Sequence, residues 1–157
     1  MPLIRQQWEQ SLHNQLLQDA MNYDREEQQN FAITAITSLY DDQREAFNQI
    51  WNSIQNDLGH IFFIDGSGGT GKTYLYRTLC HTIRAQGWII LCTASTGLAA
   101  LLLPGGRTAH LMFRIPVDDL KENSMCAIFK NTDRAQLLCS AKALIYDECL
   151  MHHHHTF

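Results

Sequence analysis

Gly66-Ser67-Gly68-Gly69-Thr70-Gly71-Lys72-Thr73 fits the spacing G-x-x-x-x-G-K-[ST] of a phosphate-binding loop. The residue types suit that chemistry. Glycines let the backbone turn sharply and approach a phosphate with no Cβ in the way. Their N–H groups, with those of a following helix's first turn, form a concave donor array at the positive end of the helix dipole. Lys72 then reaches the β- and γ-phosphates, and Thr73 places its hydroxyl on Mg²⁺. A nucleoside triphosphate is the expected ligand.

A second acidic element is expected to complete such a site. Ala143-Leu144-Ile145-Tyr146-Asp147-Glu148 reads as an apolar strand ending in two acids, downstream of the loop. Asp147 is then placed to hold Mg²⁺ through a water, and Glu148 to polarise the attacking water. An apolar run followed by Asp-Glu carries little by itself; paired with the glycine-rich loop it reads as the other half of a hydrolytic site.

These residues need a scaffold. His60-Ile61-Phe62-Phe63-Ile64-Asp65 reads as a short buried strand entering the loop, and Tyr74 onward as the helix leaving it. That helix carries Leu75, Leu79 and Ile83 and stops at Gly87, a good C′ glycine. Upstream, Asp41 or Asp42 caps a helix with Phe47, Ile50, Trp51 and Ile54 on one face, ending near Gly59. Trp88 to Ala94 is a second apolar strand. Thr96 to Leu103 reads as a short helix, broken by Pro104-Gly105-Gly106. A stretch holding Pro116 and Asp118-Asp119 leads to a helix around Ala135 to Ser140 and then to the acidic strand. Strands alternating with helices predict parallel βαβ units, an α/β, RecA-like P-loop fold with its sheet flanked by helices. This ordered domain is placed at residues 38–157. Residues 1–37 form a leading, partly helical segment rich in Gln and Asn, where Trp8, Leu12 and Leu16 recur at helical spacing. That segment suits either a loose attachment or a partner-binding helix.

Composition sets outer bounds. A chain of 157 residues with 45% hydrophobic content suits one domain with a core. The formal charge of −4 is not the basic footprint of a nucleic-acid binder, although a local groove can be positive on an acidic chain. Five cysteines, an odd number without C-x-x-C spacing, read as the reduced thiols of an intracellular protein. The N-terminus carries no secretory pattern. The longest apolar run, Leu98 to Leu103, is far short of a membrane span.

Three further stretches resemble one family. Leu39-Tyr40-Asp41-Asp42-Gln43-Arg44-Glu45-Ala46-Phe47 resembles the Q motif upstream of helicase P-loops. Thr93-Ala94-Ser95-Thr96-Gly97-Leu98-Ala99-Ala100 resembles helicase motif Ia, and the run Gly106 to Pro116 resembles the segment after it. With Ile145-Tyr146-Asp147-Glu148 as motif II, the order and spacing resemble the Pif-type (petite integration frequency) DNA helicases, most closely the eukaryotic and Helitron-transposon branch. The resemblance implies a motor that hydrolyses ATP with Mg²⁺ and moves 5′-to-3′ on single-stranded DNA. It also implies unwinding of forked duplexes in telomere maintenance, repair and recombination, in the nucleus or the mitochondrion. Carried over by position, Gln43 contacts adenine, and Gly66 to Thr73 hold the nucleotide. Thr93, Ser95, Thr96 and Gly97 position or hold the DNA backbone, and His110 and Phe113 lie where the family approaches the strand.

By themselves these residues say less. A Thr/Ser/Gly loop suits phosphate contacts but is also common loop chemistry. Phe113, flanked by Leu111, Met112 and Ile115, fits a core better than a base-stacking platform. His110 reads as a hydrogen-bonded structural residue, and Gln43 as an ordinary glutamine at a helix start. Two features depart from the family. Cys149-Leu150 stand where a small residue and often a proline follow the acids, and His152 to His155 form a run whose neighbours cannot all face one ion; the run reads as native sequence rather than a purification tag. The chain stops just after motif II. The expectation is therefore a first motor domain incomplete at its C-terminal side, without the second RecA-like domain or the arginine that completes the ATP site from across the cleft. Such a chain does not unwind DNA alone. Two other readings stay open: another P-loop ATPase, such as a RecD-type subunit or a small-molecule kinase, and a non-catalytic nucleotide- or DNA-binding relic of a transposon helicase.

Overall fold

The run Ile-Ile-Leu-Cys-Thr-Ala at 89–94 is rich in β-branched and apolar residues, and it is buried along its whole length. Burial on both faces marks the central strand of a parallel sheet. In the computed structural model of the chain, which describes residues 14–116 and 125–151 with Leu150 by its backbone alone, that is where the run sits. The elements are α1 (Gln15–Met21), α2 (Arg25–Thr37), α3 (Asp41–Gln55), α4 (Lys72–Ala85), β1 (Ile89–Ala94), α5 (Gly97–Leu101), β2 (Arg107–Thr108), α6 (Ala109–Phe113), α7 (Asp133–Ser140) and β3 (Ala141–Asp147). A 3₁₀ turn over Cys149–Met151 follows. The sheet runs β2-β1-β3, all parallel, with Thr93 beside Arg107 and Tyr146, and Ala94 beside Thr108 and Asp147. The expected parallel α/β fold is present.

Alternation along β1 sorts its side chains into two layers. Ile90 and Cys92 pack with Tyr76, Cys80 and Ile83 of α4 and with Leu103. Ile89 and Leu91 face the opposite layer, where Met112 of α6 and Leu137 of α7 close over them, with Leu16, Leu17 and Ala20 of α1 at the margin. A third cluster joins Leu39, Phe47 and Ile50 to Leu75 and Leu79, which seats α3 against α4.

Local rules account for the helix ends. Gly71, at φ +83°, starts α4, and Gly87, at φ +75°, follows its end as the sequence predicts. Thr96, Thr108 and Thr132 accept from the backbone of Ala99, Leu111 and Ala135 and so cap α5, α6 and α7. The helix predicted from Asp41 starts there but ends at Gln55, short of Gly59.

From residue 14 onward the leading segment is packed. Asn14 is fully buried and donates its amide to the Asp133 carbonyl (2.9 Å) and to Gln136 Oε1 (3.0 Å) on α7. Ala32 and Gln28 of α2 are buried, and Gln28 Oε1 meets His81 Nδ1 on α4 at 2.8 Å. Trp8, Leu12, Asp118-Asp119 and His152 to His155 lie outside the described residues. No described helix is long and apolar enough to cross a membrane.

One predicted element is corrected. His60 to Asp65 carries no strand: Ile61 is 98% and Phe63 72% exposed. A strand exists only through a neighbour's ladder, and both edges of β1 are taken by β2 and β3. Residues 59–66 and β3 line a cavity of about 920 Å³ between them, and among the described residues the apolar run joins no ladder.

Candidate nucleotide and DNA site

The glycine-rich loop is held by its own side chains. Asp65 Oδ1 accepts from the Gly66 N–H at 2.8 Å, and the Thr70 hydroxyl donates to the Ser67 carbonyl at 2.9 Å. Lys72 Nζ donates to the carbonyls of Gly66 and Ser67, the second at 3.1 Å. The lysine therefore arches over the loop from the first residue of α4. Gly68 has open space where a Cβ would stand. Gly71 does not: a Cβ there would collide with the amide of Gln43.

Gln43, in the first turn of α3, sits against the loop. Its Nε2 donates to the Thr70 carbonyl at 3.0 Å, and its Oε1 accepts from the Tyr40 N–H at 3.2 Å. Both ends of the amide thus serve the protein, fixing the loop's last turn before α4.

Lys72, Asp147 and Glu148 line the same cavity, together with Asp65 and Tyr76. The sequence pairs the acids with the loop, and α4 and β3, both packed against β1, bring them to one cavity. Glu148 takes the left-handed conformation, φ +52°, which costs a non-glycine residue about 1 kcal/mol or more. In that conformation its N–H donates to Asp147 Oδ1 at 3.0 Å, and its side chain is exposed.

Tyr76 was missed at the sequence level. Burial first, then the nearby Asp147 carboxylate and Cys149, push its phenol up to about 12. Tyr76 lies one helical turn beyond Lys72 and Thr73, so that side of α4 faces the acid. Only its spacing from Lys72 signalled it.

The donor set suits a particular kind of cation. Asp147 and Thr73 offer hard oxygens, while among the described residues no three His, Cys, Asp or Glu side chains converge as an ion site. Oxygens of this kind are ones Mg²⁺ accepts beside waters and phosphate oxygens.

The residues assigned to DNA divide into two groups. Thr93 is fully buried, and its hydroxyl donates to the Ile145 carbonyl at 2.9 Å. It ties β1 to β3 from within the sheet, a place suited to positioning the following loop rather than to holding a DNA backbone directly. Phe113 is half-buried against the Ile89, Leu91, Met112 and Leu137 cluster, with its ring 6.3 Å from that of Tyr146, which favours the core reading. Thr96 and Gly97 are exposed at the start of α5, where Thr96 caps the helix. Ser95 follows β1; its hydroxyl is buried with no protein partner among the described residues. His110 is half-buried on α6.

Charge near α6 is a further feature that sequence reading missed. Arg134 donates to the carbonyls of Leu111 (2.8 Å) and Met112 (3.0 Å). Burial, then Arg114 and Arg107, lower its pKa, so the three guanidiniums share one neighbourhood. The arginines are scattered in the sequence, and the acidic total conceals them.

Comparison with known proteins draws on the same stretches. The family model of PIF1-like helicases matches residues 38–157. The ATP-dependent DNA helicase PIF4 of Trypanosoma brucei brucei is 34% identical over 101 residues, 62% of this chain and 12% of that protein. PIF1 of the same organism, also an ATP-dependent DNA helicase, is 44% identical over 54 residues, 34% of this chain and 6% of its own length. The ATP-dependent DNA helicase Pif1 of a Psychrobacter species is 34% identical over 96 residues, 60% of this chain and 14% of that protein. The matched stretch is a small part of each relative.

Proposed function

This chain belongs to the PIF1-like helicase family, and on that premise we propose that it supplies the nucleotide half of an ATP-dependent DNA motor. The observation that carries this reading is the convergence of Lys72, Asp147 and Glu148 on one cavity. The loop N–H groups and Lys72 bind the β- and γ-phosphates of ATP. Thr73 and Asp147 hold Mg²⁺, which when bound neutralises phosphate charge. Glu148 orients the attacking water. Gln43 keeps the loop in register and borders the adenine. Ser95, Thr96, Gly97 and His110, with Arg107, Arg114 and Arg134, meet the phosphates of single-stranded DNA. Translocation is 5′-to-3′, serving repair, recombination and telomere maintenance. The 157 residues alone bind nucleotide without unwinding a duplex.

The test is ATP turnover with and without single-stranded DNA, in a protein that carries this chain with the remaining length of its relatives. DNA should raise turnover, and Glu148→Gln should abolish it while ATP still binds. Duplexes with 5′ tails should be opened in preference to those with 3′ tails. Turnover driven by a small metabolite and indifferent to DNA would overturn the reading. Unwinding by the 157 residues alone would overturn its last part.

A further inference from the structure

Two thiols sit face to face inside the first layer of the core. Cys80 of α4 and Cys92 of β1 are 0% and 1% exposed, with their sulfurs 3.2 Å apart. Both are free. A disulfide needs its sulfurs at about 2.05 Å, so closure asks for a shift of about an ångström. Buried cysteines usually act as small apolar residues, but a facing pair is a latent two-electron couple.

Cys92, though 1% exposed, is among the residues lining a small pocket of about 110 Å³ whose walls include Arg84 and Arg107 and extend to the exposed Asp19 and Gly105. Arg84 is itself buried at the end of α4, with no hydrogen-bond partner for its Nε among the described residues, one nitrogen donating to the Pro104 carbonyl at 2.7 Å, and the guanidinium stacked 3.9 Å from the Tyr23 ring centroid. A buried cation beside a thiol favours the thiolate.

We propose that Cys80 and Cys92 are a peroxide-sensitive dithiol, oxidised through this pocket to a disulfide that staples the helix of the phosphate loop to the central strand. The two sulfurs have distinct roles. Cys92, which lines the pocket together with Arg84 while Cys80 does not, is assigned as the attacking sulfur; the hydrogen bond shared with Cys80, and then Arg84, also lower its thiol against the opposing effect of burial. Its thiolate takes one oxygen of hydrogen peroxide, the O–O bond breaks, and the other oxygen leaves as hydroxide and is protonated to water. Cys80 sulfur then attacks the Cys92 sulfenic acid. The S–S bond forms, the S–O bond breaks, and the hydroxyl departs as water with the Cys80 proton. The sulfurs have given up two electrons, and the peroxide has become two waters.

Such pairs in reducing compartments are transient and sensory rather than structural. The staple acts between two working parts. The helix bearing Cys80 begins at Lys72, and the strand bearing Cys92 runs into Ser95.

The experiment treats the folded chain with equimolar hydrogen peroxide, caps remaining thiols after denaturation, and maps the peptides. A Cys80–Cys92 linked peptide should appear, lost on treatment with dithiothreitol, with a rise in melting temperature of the oxidised chain. In Cys92→Ser, Cys80 should resist oxidation. Capped Cys80 and Cys92 beside oxidised Cys126, Cys139 or Cys149 would overturn the proposal, as would rapid oxidation of Cys80 in Cys92→Ser.

Discussion

The backbone N–H of Ser95 donates to the carbonyl of Asp147 at 3.3 Å. The loop leaving β1 and the acids ending β3 are thus one hydrogen-bonded unit. In the proposed motor, one partner of this bond approaches DNA and the other holds Mg²⁺. The bond extends the β1–β3 ladder, which pairs Ala94 with Asp147, into the loop.

Thr93 supports that unit from within, through its bond to the Ile145 carbonyl. Thr93→Val keeps the shape and removes the hydroxyl. Urea denaturation should show a loss of about 1 kcal/mol, the usual net worth of such a bond. Because the residue is fully buried, affinity for single-stranded DNA should not change in the folded variant.

Gly71 is constrained twice, by its φ of +83° and by the Gln43 amide beside it. Gly71→Ala should cost about 1–2 kcal/mol in denaturation. Adding Gln43→Ala should recover the part due to collision and leave the part due to backbone strain. The double-mutant cycle measures that split.

The arginines near α6 give a prediction in salt. Arg114 is exposed beside α6 and shares its neighbourhood with Arg107 and Arg134. If it meets one phosphate, Arg114→Ala should weaken single-stranded DNA binding for all sequences alike. The log–log slope of affinity against salt should flatten by about 0.7. Titrations at several salt concentrations check this.

His81 links α4 to α2 and predicts a pH dependence. Burial, then Arg84 and Arg77, hold its pKa below the ordinary value, against the pull of Glu27. The native state therefore takes up the proton less readily than the unfolded chain. Stability from this group is complete above about pH 6.5 and falls as the pH drops below it. Urea midpoints should decline on acidification in the wild type and decline less in His81→Gln.

Legibility followed the range of the forces involved. The end of α4 was readable because Gly87 punctuates it locally, while its start, read at Tyr74, lies at Lys72; β1 was readable as an apolar run between a glycine and a Ser-Thr loop. Residues 60–65 have the same composition, but strand formation depends on a ladder from elsewhere in the chain, which composition does not encode. β2 comprises only Arg107 and Thr108, too short for any period. The buried positions of α2 are Gln28 and Ala32, so no apolar stripe announced it. The phosphate loop and the acid pair were legible as motifs. Tyr76, the Ser95–Asp147 bond and the arginine cluster were not, because each depends on elements that meet only in three dimensions.

The most direct measurement is a titration of this chain with ATP in the presence of Mg²⁺, beside Lys72→Ala. Saturable, Mg²⁺-dependent binding is expected for the wild type. Binding should be roughly 10- to 100-fold weaker in the variant, the worth of one charge-assisted contact. Equal affinity in the two proteins, or no saturable binding at all, would contradict a nucleotide site built on Lys72 and the Asp147–Glu148 pair.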